Sequence, residues 1–91
     1  MNGPPYEVRV LASAQKELRR LDSQAADQIA QRMQWLGEHA EVVHHHALTG
    51  NLRGLYRLRS GDYRVVYRLL REERAIVVVA IGDRREIYRK R

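Results

Sequence analysis

The chain has 91 residues, no cysteine and a net charge of +6, with an isoelectric point of about 10.3. A single domain with little stability in reserve is expected at this length, and the lack of cysteine excludes disulfides and thiolate metal sites. No apolar run of signal-peptide or membrane-spanning length is present, so a reducing, cytoplasmic home is expected.

The positive charge is almost all arginine; among 17 basic residues only Lys16 and Lys90 are lysines. Arginine presents a planar fork that binds phosphate in bidentate fashion and stacks on bases. A small domain so charged is expected to meet nucleic acid, an acidic partner protein, or both.

Two prolines and a glycine make residues 1–5 a tail. Tyr6–Leu11 alternates and reads as a strand. Ser13 reads as a helix N-cap with Lys16 and Glu17 in the first turn, and Ala14, Leu18 and Leu21 fall on one helical face. Asp22 or Ser23 caps a second helix whose apolar stripe is Ala26, Ile29 or Ala30, Met33, and Leu36 or Gly37. The two helices are expected to form a short antiparallel pair. Trp35 borders the stripe as a partly buried packing residue, with docking of a partner protein as its other reading. Periodicity fails from Glu38 to Asn51, which predicts a loop or a frayed helix end.

The next segment, Leu55 to Leu69, reads as a β-hairpin around Gly61-Asp62. Glycine at the first central position tolerates positive φ, which suits a type II′ turn. That turn sets Ser60 against Tyr63, Arg59 against Arg64, Arg57 against Val66 and Leu55 against Arg68. Side chains alternate along a strand, so Arg57, Arg59, Arg64 and Arg68 share one face. Tyr56, Leu58, Tyr63, Val65 and Tyr67 share the other, facing the core. Like charges placed opposite each other weaken a sheet, so Arg59 facing Arg64 predicts an anion on that face. A second turn at Arg71–Arg74 leads to Ala75–Ile81, apolar at every position and therefore a well-buried central strand. Gly82 ends it, and a charged tail follows. The predicted order is β-α-α-β-β-β-tail: an α+β domain with two helices on one face of a mostly antiparallel four-stranded sheet and an open arginine face.

If the tail returns over that face, Arg57, Arg64, Arg84 and Tyr88 converge on one concave site. A guanidinium stays protonated and cannot serve as a base; it can hold a phosphate and stabilise charge building on it. Tyr88 among cations is suited to give up its proton and take one from a ribose 2′-OH. Attack of that hydroxyl on the adjacent phosphate would cut RNA and spare DNA. Arg53, Arg59, Arg68 and Arg85 are the further RNA-binding candidates. His39, His44, His45 and His46 read as a solvated loop, because consecutive histidines cannot all face one metal. No metal and no cofactor are expected.

Four stretches carry a resemblance: the first strand followed by Ala14, Lys16, Leu18 and Leu21; Leu52-Arg53-Gly54-Leu55-Tyr56-Arg57-Leu58-Arg59; Gly61-Asp62-Tyr63-Arg64-Val65-Val66-Tyr67; and Ile81-Gly82-Asp83-Arg84-Arg85-Glu86-Ile87-Tyr88. From Tyr6 to Tyr88 the chain resembles toxins of the RelE/ParE superfamily of toxin–antitoxin systems, and its Arg84–Tyr88 pair is similar to that of the RelE-like nucleases. The resemblance implies the RelE/ParE-like fold and a ribosome-dependent mRNA endonuclease acting on mRNA in the 70S ribosome. It also implies a cognate antitoxin that wraps the toxin, forming a hetero-oligomeric complex. By the same likeness, Arg57 matches a basic strand residue near the scissile phosphate and Arg64 the phosphate-binding arginine. Arg84 matches the arginine after the last strand, and Tyr88 the tyrosine that orients or deprotonates the 2′-OH. Leu55 departs from the pattern, which has a basic residue there; Arg53 and Arg59 are candidates to replace it. The departure keeps two alternatives in view: a ParE-type toxin that inhibits DNA gyrase by binding, and a degenerate antitoxin-binding module.

Overall fold

The protein is represented by a computed structural model that describes residues 3–85 and residue 87. Along the chain these form β1 (Glu7–Val10), α1 (Ala12–Arg19), α2 (Ser23–Glu38), β2 (His46–Ala47), a 3-10 turn (Gly50–Leu52), β3 (Tyr56–Ser60), β4 (Tyr63–Leu70) and β5 (Ala75–Asp83). The sheet has five strands in the order β1-β5-β4-β3-β2. The expected count of four omitted β2, where His46 and Ala47 pair with Arg57 and Tyr56 inside the segment read as a loop. Both residues of β2 are exposed, so no apolar alternation announces the strand. β1 lies parallel to β5, while the other neighbours are antiparallel. A parallel pair needs a long crossover, and the helices and hairpin between β1 and β5 supply it.

The hairpin register follows from its turn. Gly61 has φ +58° while Asp62 does not have positive φ, as a type II′ turn requires. Ser60 pairs with Tyr63, Arg59 with Arg64 and Arg57 with Val66, and the ladder ends at Tyr56 and Tyr67, one step short of Leu55. β5 lies between β1 and β4. Its register against β4 slips between Val66 and Tyr67, which pair with Ala80 and Val78. Val79 is the extra residue of that irregularity. It puts Val79 and Ala80 on the same side, whereas Ile76, Val78 and Ile81 pack toward the helices. An uninterrupted apolar run is therefore needed here, because both faces of β5 are covered.

α1 packs against β5, and α2 against β1 and β3. Ala14, Ile29, Met33 and Leu36 meet Leu58, Val65, Tyr67, Ile76 and Val78 in the main core, with Tyr56 and Tyr63 packed at its border. Asp22 caps α2 by accepting a hydrogen bond from Ala25 N at 2.7 Å. α1 starts earlier than expected. Leu11, not Ser13, is its N-cap, and no side chain caps it. Its Gln15 side chain instead donates to Val10 O at 2.9 Å. Near the other end of α1, Glu17 accepts from Ile81 N at 3.1 Å and ties the helix to β5.

The sheet face away from the helices is not fully open. Val66, Ala80 and Ile87 form a second small core, with Leu48, Leu55 and Val79 packed on it. The chain after β5 returns to make it: Arg84 N donates to Asp62 O at 2.9 Å, and Ile87 N to Asp83 O at 2.9 Å. Among the described residues, no helix is long and apolar enough to cross a membrane.

Candidate nucleic-acid interface

Strand register decides which arginines share a surface. Arg57 and Arg59 on β3 and Arg64 and Arg68 on β4 occupy alternate positions on the face away from the helices. Arg64 sits between Arg59 on one neighbouring strand and Gly82 on the other. Only 8% of Arg64 is exposed. Its Nη1 donates to Gly61 O at 3.3 Å and Tyr63 O at 3.1 Å. The carbonyls of the turn thus face the guanidinium that the sequence left opposite Arg59, and they supply part of the negative potential expected from a bound anion. The fork still bears the donors that bind phosphate.

The hydrogen bond from Arg84 N to Asp62 O brings the start of the C-terminal arm beside the hairpin tip that holds Arg64. Both Arg84 and Arg85 are exposed, and Arg85 N donates to Asp83 Oδ1 at 2.8 Å. Tyr88, the expected base, lies outside the described residues. Arg53 is exposed just after the 3-10 turn, and Arg68 is exposed on β4. Arg57 and Arg59 line a cleft at the outer edge of β3 that Arg64 and Arg84 do not share. The arginines therefore form two groups: Arg64 and Arg84 at the hairpin tip, Arg57 and Arg59 along the strand edge.

The histidine run is not uniformly solvated. Its middle member, His45, is half-buried. His45 Nδ1 lies 2.6 Å from the Tyr67 hydroxyl and Nε2 lies 2.8 Å from Ala40 O. A carbonyl only accepts, so Nε2 carries a proton, and in the neutral ring Nδ1 accepts from the Tyr67 O–H. The ring also contacts Tyr56 and Tyr67 at centroid distances of 5.7 and 5.8 Å. This peg fixes the segment that leads into β2 and sets exposed His46 beside Arg57. The only hint in the sequence was parity within the run, since His44 and His46 flank an inward-facing neighbour. Trp35 is more exposed than expected, at 36%. It stacks on His39 at 4.9 Å, and the Arg32 guanidinium lies 4.8 Å from its ring centroid. Among the described residues no three His, Cys, Asp or Glu side chains gather into a group able to hold a metal ion.

Comparison with known proteins adds to this geometry. The family model for the ParE toxin of type II toxin–antitoxin systems matches residues 8–88. A RelE-like toxin protein of Escherichia coli is 29% identical over 90 residues, covering 91% of this chain and 90% of the relative. Among solved structures, the RelBE2 toxin–antitoxin complex from Mycobacterium tuberculosis contains a chain that superposes with a TM-score of 0.81 at 25% identity, covering 91% of this chain and 95% of that one. The archaeal RelE–RelB complex from Pyrococcus horikoshii gives a TM-score of 0.71 at 26% identity, with coverages of 89% and 97%.

Proposed function

The chain belongs to the ParE toxin family of type II toxin–antitoxin systems, and from that premise we propose that this toxin is a metal-independent endoribonuclease that cuts mRNA on the 70S ribosome. Arg64 holds the phosphate together with Arg57, its diagonal neighbour on the same sheet face and the link between the two arginine groups, and Arg84 offsets charge as it builds on the phosphoryl oxygens. Tyr88 takes the proton of the neighbouring ribose 2′-OH. The 2′ oxygen bonds to phosphorus as the bond from phosphorus to the 5′ oxygen breaks. The products are a 2′,3′-cyclic phosphate and a 5′-OH, whose proton comes from water near Arg84.

One observation carries this reading: the hairpin register and the Arg84 N to Asp62 O bond bring Arg64 and Arg84 to the same end of the sheet. The RelBE2 and RelE–RelB relatives are toxin–antitoxin complexes, and by analogy a cognate antitoxin silences this toxin. An acidic partner would also mask a surface that otherwise attracts RNA without selection.

The test is induction of the wild type, Arg64→Ala and Tyr88→Phe, followed by primer extension on a translated message. Codon-phased cuts in the wild type, weaker by on the order of 100-fold or more in each variant, support the reading. Growth arrest with intact mRNA overturns it. The second reading, a non-enzymatic DNA gyrase inhibitor, draws on the match to the ParE model and on Leu55, which lacks the basic group expected of a nuclease strand. Its signature is DNA damage without RNA fragments.

A further inference from the structure

The outer edge of the sheet holds a cleft of which the cleavage chemistry uses only Arg57. β2 is only two residues long and pairs no farther than Arg57. Beyond it, α2 rather than a strand flanks the outer edge of β3. Arg32 of α2 donates from Nε to Arg59 O at 3.2 Å, which satisfies an edge carbonyl and fixes its guanidinium near Trp35. Between these elements lies a cleft of about 220 Å³, lined on its polar side by Arg32, His44, His46, Arg57 and Arg59, with Trp35 beside them. Among the described residues, none of those lining it is acidic.

Three arginines line this one small cleft, and their like charges raise a positive potential that a bound anion would offset. Leu36 and Tyr67 contribute apolar or buried surface to the same cleft, and a less polar floor strengthens the pull on a bound charge. His44 and His46 stand edge to face with centroids 4.9 Å apart, held there by the His45 peg between them. An imidazole N–H donates to phosphate oxygens without adding a further fixed cation. The volume is below the roughly 300–1,000 Å³ typical of sites for drug-sized ligands, which favours a single phosphodiester over a whole cofactor.

We propose that this cleft seats a backbone phosphate of the bound RNA next to the linkage being cut, with His44 and His46 as its donors and Arg57 joining it to the cleavage face. Arg57 and Arg59 belong both to the cleft and to the arginine face, so one strand of RNA can pass from one to the other. This inference rests on the proposed RNA reading, but its test separates the two.

The probe is a six-nucleotide 2′-O-methyl RNA, which cannot be cut by 2′-OH attack, titrated into the full chain. Its affinity is read by fluorescence anisotropy and its position by the ring resonances of the histidines. The RNA is expected to shift the His44 and His46 ring signals, and His44→Ala/His46→Ala to weaken binding about 5- to 10-fold. His39→Ala, outside the cleft, is expected to leave binding unchanged. Unshifted ring signals in the wild type overturn the proposal whether or not the double variant folds. So do unchanged affinity in a folded double variant, and shifts produced by hexaglutamate but not by RNA, which would assign the cleft to an acidic protein partner. A wild type that leaves translated mRNA intact while the six-mer still binds through the histidine pair removes the cleavage reading and keeps the cleft.

Discussion

Tyr67 shows how one buried side chain sets both stability and surface chemistry. Its ring is 1% exposed, and its hydroxyl is held against His45. Burial, with Tyr56 nearby adding to it, pushes the hydroxyl's pKa from the usual 10 up to about 12. Unfolded, Tyr67 loses its proton near pH 10; folded, it keeps the proton to about pH 12. The native state thus binds the extra proton in that window, and stability falls as pH rises through it. The stabilisation is complete below pH 10, and about 2–3 kcal/mol of it is lost by pH 12. Tyr67→Phe gives up a hydrogen bond worth about 1 kcal/mol, so it starts less stable at pH 9. The gap between variant and wild type is expected to close above pH 10 and to reverse by about pH 12 in urea titrations; parallel pH curves would contradict the burial account. Arg64 makes the complementary point. It looked like a solvent-facing phosphate ligand in the sequence, yet it is tucked against the carbonyls of its own turn, a contact that residue spacing does not encode.

At the scale of elements, α2 approaches the lead-in of β1 closely at Gly37. Tyr6 N donates to Gly37 O at 2.9 Å. A Cβ on Gly37 would stand 2.8 Å from Tyr6 O and 2.9 Å from Val8 Cγ2. Alanine in an open helix position stabilises by up to about 1 kcal/mol over glycine. Here the backbone oxygen cannot move aside without lifting α2 from the sheet. Gly37→Ala is therefore expected to destabilise by about 1–3 kcal/mol in urea unfolding, and an unchanged or raised midpoint would contradict this packing. The same elements show what a reader of the sequence can recover. The Gly61-Asp62 turn fixes a register, so the pairing of Arg59 with Arg64 and the inward tyrosines were legible. β2 was not, because two exposed residues carry no pattern. Nor was the parallel pairing of β1 with β5, since it joins segments from opposite ends of the chain. His45 was hidden by identical neighbours whose side chains lie on the exposed side. Of the candidate site, the arginine face was legible from alternation. Its division between hairpin tip and strand edge depends on how α2 and the returning arm close around the sheet, which periodicity cannot reveal.

For the molecule as a whole, the sheet separates two tasks. Helices on one face supply the main core, while the opposite face combines arginines with a small apolar patch made by the returning C-terminal arm. Under the proposed function, a net charge of +6 draws RNA toward that opposite face over a distance, and placed donors then orient one linkage. The central claim is that the arginine face positions an RNA phosphate for attack by its own ribose. It is tested most directly with ribosomes carrying an mRNA in which the ribose 5′ to the cut is 2′-deoxy at that single position. The account predicts that the all-ribose message is cut there, leaving a 2′,3′-cyclic phosphate, and that the deoxy message stays whole at that linkage. Equal cutting of both messages, or of neither, would contradict it.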